Sequence, residues 1–159
     1  MIVRTIPWLL LTLVLLLPLS GCGHGTSSEA SATAEETATP AAETTLVLDI
    51  DGHSFTATLA DTDAACTLAK HLAEAPLSLS LRDYGGFEKV GSLGMRLPAD
   101  DVQTTTEAGD IVLYQGNQIV LFYGSNNWAY TRLAHVRDTT GWADALASDN
   151  IQVTLSLAE

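Results

Sequence analysis

Residues 45–159 predict a mainly β domain: a closed antiparallel barrel of about eight strands with two short capping helices. Three observations carry that reading. Short runs alternate apolar and polar side chains with period 2, as half-buried strands require. Turns rich in glycine and asparagine separate them. Only two stretches show helical spacing, and closing so many strands leaves few exposed edges.

The elements follow in chain order. Residues 46–50 are apolar-rich, and Asp51-Gly52 behind them signals a hairpin because glycine accepts positive φ. Residues 54–59 return with Phe55, Ala57 and Leu59 on one face. Asp61 or Thr62 caps a helix over about 62–74, with Ala65, Leu68, Ala69 and Leu72 along its apolar stripe and Pro76 beyond its end. Residues 77–82 alternate strictly, three leucines against Ser78, Ser80 and Arg82. A turn over Gly85-Gly86 leads to a short strand ending at Val90, where Glu88-Lys89 reads as an exposed pair. Residues 91–108, rich in Gly, Pro, Asp and Thr, read as a long loop. Residues 111–114 form the next strand and Gly116-Asn117 its turn. Residues 118–123 are apolar throughout, like a strand buried on both faces. Residues 128–136 make another strand, Thr139 or Thr140 caps a short helix through Leu146, and residues 151–157 alternate to close the chain.

The amino terminus carries an address. Residues 1–21 have Arg4 near the start and an apolar core too short to span a bilayer comfortably, as a signal peptide does. They end in Leu19-Ser20-Gly21-Cys22, which resembles a bacterial lipobox in all four positions. The resemblance implies that Cys22 becomes the acylated first residue and that membrane lipid is its partner, through palmitate-class acyl chains worth ~0.8 kcal/mol per buried CH₂. Residues 22–44 hold no large apolar side chain and read as a disordered acidic linker, leaving 45–159 as one extracytoplasmic domain on an inner or outer membrane.

Charge excludes one class of partner. From Leu46 onward the chain holds six bases against fifteen acids and no basic stripe, so no nucleic acid is expected. Cys66, left alone once Cys22 is lipidated, reads as a small buried residue or else as a reactive or intermolecular thiol. His24, His53, His71 and His135 are scattered, with no ligand spacing. Asp100-Asp101 reads as a solvated loop rather than a cation site. No metal, cofactor, phosphate loop or nucleophile elbow is expected, and the domain is expected to be a monomer.

In this order of strands and helices the chain resembles bacterial cyclophilin-like fold proteins. Phe55-Thr56-Ala57-Thr58-Leu59 with the helix behind it is similar to the opening of that fold, and Leu81-Arg82-Asp83-Tyr84-Gly85-Gly86-Phe87-Glu88-Lys89 to its first long turn. Glu107-Ala108-Gly109-Asp110-Ile111-Val112-Leu113-Tyr114 and Ile119-Val120-Leu121-Phe122-Tyr123-Gly124-Ser125-Asn126 are similar to its central hairpin. The resemblance implies a barrel with two capping helices. In cyclophilins the arginine of a Phe-His-Arg run weakens the prolyl amide, whose barrier is ~18–20 kcal/mol. That run and the Phe-Met-x-Gln-Gly-Gly-Asp segment are absent here, and Arg82 and Arg96 correspond only by order.

The candidate ligand-binding residues are Arg82, Tyr84, Tyr114, Tyr123, Asn126, Asn127, Trp128, Tyr130 and Arg132. Aromatic walls with amides and a guanidinium can hold a small molecule or an extended peptide. The plainer alternative is that the rings pack the barrel and Asn126-Asn127 makes a tight turn. The expectation is a membrane-anchored binding module without prolyl isomerase activity. The alternatives are a divergent isomerase and a structural partner in an envelope complex.

Overall fold

The computed structural model describes residues 44–159. The expected signal segment, Cys22 and the expected linker through residue 43 lie outside the described residues. The domain comprises β1 (Thr45–Ile50), β2 (His53–Leu59), α1 (Asp63–Glu74), β3 (Leu77–Tyr84), β4 (Glu88–Ser92), β5 (Val102–Thr105), β6 (Asp110–Tyr114), β7 (Gln118–Phe122), β8 (Asn127–Val136), α2 (Trp142–Ala145) and β9 (Asn150–Leu157).

Eight strands close the barrel. β2, β1, β9, β3, β4, β7, β6 and β8 pair in that order, and β8 pairs back onto β2 through Ala57 with Val136 and Leu59 with Ala134. All pairings are antiparallel. The opening hairpin turns as its residues predict, with Asp51 and Gly52 at φ 48° and 88°. The strict alternation of β3 and β9 then fixes register, Leu79 opposite Val153 and Leu81 opposite Ile151 on the inner face. Leu46, Leu48, Ile50, Ala57, Ile111, Leu113, Ile119 and Leu121 join them in one interior cluster.

The helices close opposite ends, because α1 links the end of β2 to the start of β3 while α2 links the end of β8 to the start of β9. Thr62 is the cap of α1, its hydroxyl accepting from the Ala65 amide at 3.1 Å. Ala64, Leu68 and Leu72 enter the interior cluster. In α2 the anchor is Trp142, which stacks edge-on against Phe55 at 4.9 Å and donates its indole N–H to the Phe122 carbonyl at 2.7 Å.

Four expectations need correction. Cys66 is exposed: it lies about 200° round the helix from Ala64, away from the stripe α1 buries. Residues 91–108 are not one loop, since β4 runs on to Ser92 and β5 forms inside the stretch as a ninth strand laid on β8. Neither Thr139 nor Thr140 caps α2. Gly141, at φ 77°, holds that position with no side-chain bond, and α2 ends at Ala145. Glu88 and Lys89 are both buried, 6% and 1% exposed, because β4 lies between β3 and β7 and each residue faces packed side chains.

Candidate ligand-binding groove

A second apolar cluster lies on the outer face of the same strands. Val112, Val120, Phe122 and Tyr130 are buried there, with Phe87, Val90 and Tyr114 packed against them. This is why β7 carries no polar alternation: Ile119 and Leu121 fill the barrel while Val120 and Phe122 floor an outer surface. A groove of about 340 Å³ opens on that surface, lined by Arg82, Tyr84, Glu88, Val90, Tyr114, Gln118, Val120, Asn126, Trp128 and Tyr130.

β8 builds the wall. Its first half pairs with β5 and its second half with β6 and β2. A bulge at Leu133 interrupts the second half, since Ile111 pairs with Ala134 but Val112 with Arg132. The extra residue resets the alternation, so Tyr130 faces the groove while Leu133, Ala134 and Val136 face the core. Tyr130 is set edge-on to Phe122 at 5.6 Å and to Tyr114 at 6.0 Å. Thr106, itself buried, grips the backbone of Asn126: its hydroxyl donates to the Asn126 carbonyl at 3.1 Å and accepts from the Asn126 amide at 2.9 Å. So held, the Asn126 side chain donates to the Tyr130 hydroxyl at 2.9 Å.

Two charges in the groove have no partner among the described residues. The Arg82 side chain is exposed, and its guanidinium makes no hydrogen bond or ion pair. The Glu88 carboxyl makes none either, and its Oε2 is wholly enclosed. Burial, and then the negative charge of Asp83, push Glu88 up from 4.5 to about 7. Burial raises the Tyr130 hydroxyl as well, with Glu88 contributing. Lys89 is no help to its neighbour Glu88, because it points to the opposite face. There it pairs with Asp83 at 2.7 Å and lies over the Tyr123 ring at 5.3 Å.

Six of the nine candidates therefore meet in the groove: Arg82, Tyr84, Tyr114, Asn126, Trp128 and Tyr130. Three do not. Tyr123 packs against the interior cluster and donates its hydroxyl to Asp83; burial first, then that bond, push it to about 12. Asn127 points to β5, donating to the Thr105 hydroxyl at 2.7 Å and accepting from Gln103. Arg132 pairs with the buried Asp110 at 2.8 Å and lines a separate cleft with Asp61, Asp63 and Asp100. Asn126-Asn127 is no tight turn, since neither residue adopts the left-handed conformation and Asn127 already opens β8. Sequence reading missed Glu88, Val90, Gln118 and Val120. The alternation of Glu88 and Val90 with Lys89 was the available signal.

The profile of the cyclophilin-like family matches residues 48–156, the barrel from β1 to β9. The chain belongs to the cyclophilin-like family. A hypothetical protein of Archaeoglobus fulgidus, known from a solution structure, superposes on this cyclophilin-like domain with a TM-score of 0.51 at 17% identity. The match covers 73% of this chain and 95% of the archaeal one, and at that identity the likeness is one of fold. No curated protein matches the chain. Among the described residues of the cyclophilin-like domain, no cluster of His, Cys, Asp and Glu could hold a metal ion.

Proposed function

We propose that this cyclophilin-like domain is a ligand-binding module, held outside the cytoplasm by acyl chains on Cys22, and that its outer groove takes a small molecule or an extended peptide without isomerising prolyl bonds. One observation supports the reading most. The groove combines an apolar floor, Val90 and Val120, with rings from Tyr84, Tyr114, Trp128 and Tyr130 and two unpartnered charges, Arg82 and Glu88. Such a surface gains on covering its apolar part, and its polar groups then select what covers it. The rings do not fill the barrel, which has its own aliphatic core. Arg82 stands between Leu81 and Asp83, not behind Phe-His.

A hexapeptide library screened by thermal shift against the full-length chain in mild detergent tests this. Some peptides should raise the Tm of the wild type and lose that effect in Trp128→Ala, whose ring is exposed and leaves the fold intact. A library with no active member removes the binding role. A proline-peptide assay runs beside it, and a rate above background that Arg82→Ala abolishes would instead make the domain a divergent isomerase.

A further inference from the structure

Resting on that reading, we propose that the groove's occupant carries an alkylammonium group, from a lysine side chain or a free amine, and sets it against the Glu88 carboxylate beside the rings of Tyr114, Trp128 and Tyr130.

Glu88 lacks any partner for its carboxyl among the described residues. It is 6% exposed, its Oε2 is enclosed, and no donor or cation among the described residues reaches it. A buried carboxylate without a partner is costly, and such a group calls for an explanation, of which a cation supplied from outside the fold is one. The nearest cations are otherwise placed. Lys89 is committed to Asp83 on the inner face, and Arg82 stands opposite Val90 without reaching Glu88. The same groove is lined by the rings of Tyr114, Trp128 and Tyr130, and an aromatic ring attracts a cation set over its face. An alkyl stem fits the Val90–Val120 floor, as lysine stems cover apolar surface elsewhere. Six bases against fifteen acids in the domain draw cations toward the surface and repel anions.

The same arrangement makes binding depend on pH. The groups around Glu88 are Arg82, Asp83 and Tyr84 on β3, Lys89 on its own strand, Tyr123 just past β7, Tyr114 on β6, and Tyr130 on β8. Lys89 holds Asp83 below its ordinary value, and Tyr123 and Tyr130 are raised, so none of these three titrates near neutrality. Glu88, at about 7, does. A cation binds its ionised form, so affinity rises with pH up to about 7 and then levels.

Calorimetry on the full-length chain in zwitterionic detergent tests the assignment. The probes are acetyl-Ala-Lys-Ala-amide, the same peptide with norleucine for lysine, and 1,5-diaminopentane. At about pH 8 the lysine peptide should bind at least about tenfold tighter than the norleucine peptide, and it should weaken about tenfold at about pH 5.5 and in Glu88→Gln. Binding of the diamine as well would identify a free amine as sufficient; binding of the peptide alone would identify a peptide. Equal affinity for the two peptides, or an unchanged Glu88→Gln, overturns the amine assignment. If none of these probes binds while library peptides do, the amine assignment falls and the binding groove stands. If neither set binds, both fall.

Discussion

Glu88 and Asp83 lie on paired strands and pull stability in opposite directions with pH. The native state raises Glu88 from 4.5 to about 7, so its contribution is fully present below 4.5 and is lost as pH rises through about 7. Asp83 is lowered from 3.8, chiefly by the hydrogen bond from Lys89. Its contribution is present above 3.8 and is lost as pH falls through the lower folded value. Wild-type Tm should therefore decline between about pH 5 and 8, by an amount equivalent to roughly 1–2 kcal/mol once the groove's open side is allowed for, and Glu88→Gln should flatten that limb in thermal melts. Asp83→Asn, which strands the buried Lys89 ammonium, should cost roughly 2–4 kcal/mol in urea denaturation at neutral pH. The composition of Glu88-Lys89 reads as solvent-facing because charged residues usually are. Only the strand order, which places β4 between β3 and β7, reveals that both faces are covered.

At the scale of the element, β8 decides the groove. Its residues were legible as a strand, and Trp128 and Tyr130 as candidate ligand contacts. The bulge at Leu133 was not, because one inserted residue leaves no mark in an apolar run. β5 escaped for a related reason. Its sequence, Val-Gln-Thr-Thr, is exposed or half-exposed and has no apolar face to alternate against. Proximity in sequence suggested Arg132 and Asn127, but the two-residue period turns Asn127 to β5, and Asp110 draws Arg132 into the neighbouring cleft. Thr106 is the residue that joins these pieces. Thr106→Val keeps the shape but leaves the Asn126 amide without its acceptor, so it should cost roughly 1–2 kcal/mol and weaken groove ligands, with Thr106→Ser restoring both. Paired urea midpoints and titrations measure the two effects.

Across the whole molecule, the barrel and the groove are separate structures sharing one wall. The barrel strands, both helices and the interior leucines follow from period-2 and helical patterning, since one contiguous core demands them. The outer site does not, because its residues meet only through the strand order β3-β4-β7-β6-β8, which brings segments distant in sequence side by side. Two tryptophans measure the separation. Trp142→Ala, at the barrel's end, should destabilise the domain by roughly 3–5 kcal/mol in chemical denaturation. Trp128→Ala, 57% exposed, should stay within ~0.5 kcal/mol while abolishing capture of groove ligands. On β7 the odd-numbered side chains answer to folding and the even-numbered ones to whatever lies outside. Selection can therefore rewrite one set while leaving the other untouched. Descendants of such a barrel are free to change what they recognise in every second letter of a strand, keeping their architecture long after their sequences have drifted apart.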